Sequence, residues 1–181
     1  PQLRGLFLID ATDLTDLALC AHLGEKLLTL SVLGARSLRT AEGIEHVAAS
    51  LARLTLWVGR EHPTRKRFGP IALSPVGALQ RLASLSVSGL DFDEVELADV
   101  LRRSSHLAEL ELDPWQLELR TYAKLRNILP RVCSDALQPA IEAGDSVWPV
   151  GKGSKRLERG SADFEERYAR LLASWDDALG L

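Results

Sequence analysis

Leucine and valine fall along the chain in a recurring triplet, L-x-x-L-x-L. Leu3, Leu6 and Leu8 form the first. Leu27, Leu30 and Val32, then Leu51, Leu54 and Leu56, then Leu82, Leu85 and Val87, then Leu107, Leu110 and Leu112 repeat it. The first members lie 24, 24, 31 and 25 positions apart. The last two members of each triplet alternate with other residues, the spacing of a strand with one buried face. Between triplets the apolar spacing becomes helical. Asp13 is placed to cap a helix carrying Leu14, Leu17, Ala18 and Ala21, with Gly24 as its stop. Ile44, Val47, Ala48 and Leu51 continue the pattern in the second interval. In the fourth, Asp93 and Glu96 form a capping-box pattern ahead of Leu97, Val100 and Leu101.

Each interval therefore reads as a strand, a turn and a returning helix. One such unit cannot bury its own leucines, and stacked units turn them into a continuous apolar ladder. The pattern resembles the leucine-rich repeat. It leads to an expected α/β fold, a right-handed solenoid or horseshoe with a curved parallel sheet on the concave side and helices on the convex side. Five units are expected over residues 1–120. The third is longer, and its surplus falls in GREHPTRKRFGPIALSP, residues 59–75, read as an inserted loop with a short helix near Pro75 to Arg81. Residues 121–181 are read as a degenerate repeat and a helical cap of the same solenoid. A helix is expected from about Tyr122 to Leu129, followed by a strand-like piece and a polar loop. The last segment, ADFEERYARLLASWDDALG, is amphipathic, with Phe164, Tyr168, Leu171, Leu172, Trp175 and Leu179 on one face.

The first unit, LRGLFLIDATDLTDLALCAHLGEKLLTL, resembles the cysteine-containing type of leucine-rich repeat, in which the triplet is followed by Cys and then by an (I/L)-T-D element. Leu14-Thr15-Asp16 matches that element, and the resemblance extends over about residues 3 to 115. Where that repeat type holds Cys or Asn, this chain has Ala11, Ala35, Gly59, Leu90 and Trp115. Such repeats are common in F-box proteins, the substrate receptors of a multi-subunit ubiquitin ligase. The resemblance implies a protein–protein recognition module in cytoplasm or nucleus, receiving ligase substrates. A repeat scaffold or regulatory binding module unrelated to ubiquitin is the alternative. ILPRVCSDAL, residues 128–137, has the leucine-proline that opens an F-box, but it follows the repeats and lacks the apolar spacing.

Composition narrows the classes further. The chain has 181 residues, 35 of them leucine, with 46% hydrophobic and 26% charged, which fits a globular domain with a sizeable core. A net charge of −3 gives no electrostatic case for nucleic acid or for an acidic membrane surface. There is no apolar run of eighteen residues and no visible signal peptide. The chain lacks methionine altogether, so a fragment or processed form is expected. Cys20 and Cys133 have no CxxC spacing and are read as buried, reduced thiols of an intracellular protein.

The triplet also says which side chains face outward. Residues alternating with the inward leucines form columns: Phe7, Ser31, Thr55, Ser86 and Glu111 in one, and Ile9, Leu33, Trp57, Ser88 and Asp113 in the next. Phe7, Ile9, Leu33 and Trp57 would form a contiguous apolar patch, the mark of an interface. The alternative is that residues 59–75 or 144–160 cover it. Glu109, Glu111 and Asp113 would either select a basic partner or form a solvated acidic face. Arg60, Arg65, Lys66 and Arg67 suit either an acidic or phosphorylated peptide or a soluble loop, and Arg65 and Arg67 join the candidate partner-binding set. His22 and His46 are 24 apart, without a third ligand, and convex surface positions account for them. GKGSK at 151–155 fails as a phosphate loop, because Gly153 stands where Ser or Thr is needed. No catalytic constellation emerges, so the expected activity is non-catalytic binding, with a protein partner and no metal or cofactor.

Overall fold

The computed structural model describes residues 3–24, 26–58 and 70–180. The chain is α/β and divides into two compact units, Pro1–Glu111 and Leu112–Leu181.

In the first unit every leucine triplet forms a strand. These are β1 (Gly5–Ile9), β2 (Thr29–Leu33), β3 (Arg53–Trp57), β4 (Ser84–Ser88) and β5 (Glu109–Leu112). They form one parallel sheet in sequential order. The register is in phase with the triplets: Leu6 pairs with Leu30, Leu30 with Leu54 and Leu54 with Leu85. The joint between neighbours recurs as well. The Arg4 carbonyl accepts from the amides of Leu28 and Thr29, that of Leu28 from Ala52 and Arg53, that of Ala52 from Ala83 and Ser84, and that of Ala83 from Ala108 and Glu109. Leu30, Leu54, Leu56, Leu82 and Val87 are fully buried, and the leucine ladder is the core of this sheet. Leu6 and Leu8, on an edge strand, are only half-buried.

The return segments differ from expectation. Among the described residues of the first unit, only α1 (Glu94–Arg103) is an α-helix; the others are 3-10 turns at Ala18–His22, Ile44–Val47 and Ser74–Ala78. The return segments also form a second backbone ladder. Arg39 N–H donates to the Thr15 carbonyl, Ala72 N–H to Arg39 and Ala41 N–H to Ala72, with parallel bridges Thr40–Ala72 and Ile71–Phe92. The expected Asp13 cap is absent from the first turn, where Asp16 Oδ1 accepts from Ala18 N–H instead. The helix read near Pro75 to Arg81 is the 3-10 turn at Ser74–Ala78, with Pro75 at its start.

Asp93 does cap α1, its Oδ1 accepting from the amides of Val95 and Glu96 at 2.9 Å. Glu96 does not close a capping box. Its Oε1 accepts from Ser74 N–H at 2.7 Å and ties α1 to the start of the preceding turn.

A left-handed residue follows three of the strands: Asp10 (φ 54°), Gly34 (φ 75°) and Gly89 (φ 73°). At Gly89 a Cβ would collide with the Val58 carbonyl, so glycine is required by space as well as by conformation.

The second unit holds a helix, α2 (Leu119–Ile128), a small antiparallel sheet of β6 (Ala140–Ala143), β7 (Ser146–Pro149) and β8 (Leu157–Glu158), and a long helix, α3 (Phe164–Leu179). The strand-like piece and polar loop of the sequence reading are thus a hairpin turning at Gly144 (φ 58°) and a third strand. The degenerate repeat expected over 121–181 is replaced by this antiparallel arrangement. The apolar face of α3 is as expected, and it covers the small sheet: Phe164, with Tyr168 and Leu171 alongside, packs on Ala140, Val147 and Leu157. Asn127 Nδ2 donates to the Leu179 carbonyl and joins α2 to the end of α3. Tyr122 is completely buried; its hydroxyl donates to the Asp113 carbonyl and accepts from Leu117 N–H.

Candidate partner-binding face

Because the leucines of each strand point into the core, the alternate residues form the opposite face of the sheet. Pairing sets them in rows. Ile9, Leu33, Trp57 and Ser88 are successive register partners, as are Phe7, Ser31, Thr55 and Ser86, and so are Gly5, Thr29, Arg53 and Ser84. Neighbours in a row are about 4.8 Å apart across the sheet. Four of the residues read from the sequence as partner-binding are therefore brought together: Phe7, Ile9, Leu33 and Trp57. Phe7 is 64% exposed, Ile9 71% and Trp57 41%, while Leu33 between them is half-buried. The Phe7 ring lies over Gly5, where a Cβ would stand 3.7 Å from it.

Ser31 and Ser86 are nearly closed off in the floor of the face. Ser86 Oγ donates to Glu111 Oε2 at 2.7 Å, which places that carboxylate beside β4 and extends the second row to β5. Glu109 and Glu111 are both exposed. The face thus runs from apolar side chains on β1–β3, through hydroxyls on β4, to carboxylates on β5. Arg53 stands exposed on β3 as its central cation.

β5 ends at Leu112, and the Asp113 amide and carbonyl turn to Gln116 Oε1 and the Tyr122 hydroxyl. Arg65 and Arg67, with most of the insert, lie outside the described residues.

Sequence reasoning passed over one feature of the same strands. Leu28, Ala52, Ala83 and Ala108 occupy one column at the strand starts and, with Thr29, Arg53, Ser84 and Glu109, line a shallow groove of about 310 Å³. The signal was present as the residue after each first leucine, which is small in the last three units.

The cysteines divide. Cys20 is buried, and its thiol is pushed up to about 11, first by burial and then by the nearby Glu45 carboxylate. Cys133, read from the sequence as buried, is exposed. Its place on the turn after α2 leaves it outside the core. His22 and His46 are both exposed. Among the described residues no three His, Cys, Asp or Glu side chains are placed to hold a metal ion. No helix among them is long and apolar enough to cross a membrane.

No protein-family model matches the chain, and neither the curated proteins nor the solved structures include one significantly similar to it.

Proposed function

We propose that the first unit is a leucine-rich repeat array, the solenoid anticipated from its triplets, and that its exposed sheet face receives a protein partner without catalysis. One observation carries this reading: Phe7, Ile9 and Trp57 hold large apolar side chains in water on a sheet whose other face is the leucine ladder, fully buried at Leu30, Leu54 and Leu56 and half-buried at Leu6 and Leu8. Such side chains on a paired backbone lose little conformational freedom on binding, so their burial goes largely into affinity. Within this reading, the resemblance of residues 3–115 to the repeats of F-box proteins favours a substrate receptor of a ubiquitin ligase, acting in cytoplasm or nucleus. A scaffold or regulatory module is the second reading.

Trp57→Ala with Leu33→Ala should abolish recovery of the cellular partner while the melting temperature stays within a few degrees of wild type. Leu54→Ala, in the ladder directly beneath, should cost about 2–5 kcal/mol of stability. If the face variant unfolds like the ladder variant, those side chains are core and the reading fails. Recovery of a ligase adaptor with the full-length protein would decide for the substrate receptor, and its absence for the scaffold.

A further inference from the structure

The charges on this face define the partner more narrowly. Its apolar side chains occupy β1–β3, and Glu109 and Glu111 occupy β5, with only the hydroxyls of Ser84, Ser86 and Ser88 on β4 between them. Glu111 is held in place by Ser86 Oγ. Among the described residues of the face the exposed cation, Arg53, stands on β3. A basic group on a partner would be repelled over β3 and attracted over β5, whereas apolar groups gain only over β1–β3. The face therefore discriminates in one direction.

We infer that the occupant is an extended polypeptide segment lying across the strands, with apolar side chains seated on Phe7, Ile9, Leu33 and Trp57 and a Lys or Arg reaching Glu109 and Glu111. This rests on the reading of the sheet face as the binding surface. Two strand spacings sideways and two residues along the strand separate Trp57 from Glu111, about 12 Å. An extended chain covers that in three or four residues at about 3.3 Å each. The recognised pattern is an apolar cluster, ending in a residue that packs on Trp57, with a basic residue three or four positions away. Its peptide groups would cross above Thr55, whose hydroxyl can donate or accept.

A phage-displayed library of random twelve-residue peptides, panned on the full chain, tests this. Enriched peptides should share the apolar cluster and the basic residue at that spacing. A synthetic peptide of the enriched sequence should lose roughly tenfold in affinity to the Glu109→Lys/Glu111→Lys variant and weaken as salt is raised, since exposed charge pairs are screened. The same variant, panned afresh, should select acidic residues at the basic position. Apolar peptides with no charge preference, lost on Ile9→Ser/Trp57→Ala but indifferent to charge reversal, would overturn this inference and leave the face as the binding surface. Binding indifferent to Ile9→Ser/Trp57→Ala, or no enrichment at all, would overturn both. A chain that sediments as a dimer, and as a monomer once Ile9 is Ser, would replace the peptide with a second copy.

Discussion

At the scale of single residues, burial separates groups that look alike in the sequence. Cys20 and Cys133 carry the same thiol, yet one faces the core beside Glu45 and the other faces water. At pH 8 an aromatic disulfide reagent should modify Cys133 within minutes and Cys20 only when denaturant is added. The buried thiol also links stability to alkaline pH. Its folded value, about 11, lies above the unfolded value of 9.0. The protonated form is thus favoured by the fold, and its contribution is complete below pH 9 and lost as pH rises toward 11. Stability measured by urea unfolding should fall across that window, and Cys20→Ser should flatten the fall. The sequence offered no means of telling the two thiols apart, because burial of an isolated cysteine depends on what the chain brings over it.

At the scale of elements, α1 shows how caps and cross-links share the work. Asp93 satisfies two of its first amides, so Asp93→Ala should cost about 1 kcal/mol, read from denaturant midpoints. Glu96→Gln keeps an acceptor for Ser74 N–H and should be nearly neutral, whereas Glu96→Ala leaves that amide to water and should approach the loss seen at Asp93. All five strands were legible beforehand because a buried strand face writes itself as alternating leucines. Of the return helices only α1 was, because Ala18 and Ala21 suit a 3-10 turn as well as a helix, and backbone ladders such as Thr15–Arg39–Ala72 leave no side-chain signature. The hairpin of the second unit was legible in principle. Its Gly144-Asp145 pair is a two-residue turn signal between the paired strands β6 and β7. Likewise Phe7, Ile9 and Trp57 could be placed on the open face from register alone, whereas the Tyr122 hydrogen bond to the Asp113 carbonyl joins residues nine positions apart and leaves no pattern.

At the scale of the whole molecule, two units with different sheets stand in one chain, each with its own core. In the first, protection should follow position in the sheet. Amide exchange of β2, β3 and β4, each paired on both sides over fully buried leucines, should be slowest. Among the described strands β1 is paired on one side only, with Leu6 and Leu8 half-buried, and its amides should exchange ahead of these when followed by mass spectrometry. Equal protection of β1 would mean that its outer edge is covered in solution.

The shared carbonyls of Arg4, Leu28, Ala52 and Ala83 have a consequence for how such a chain can change over time. Each joint is made by the few residues at a strand's start, and the same bonds form whether the next strand arrives 24, 25 or 31 residues later. Insertions and deletions in the return segments can therefore accumulate without shifting one side chain of the open face. A single residue gained or lost inside a strand would turn every later side chain of that strand to the opposite side. Lineages carrying this chain are expected to vary in length between strands and to hold length within them.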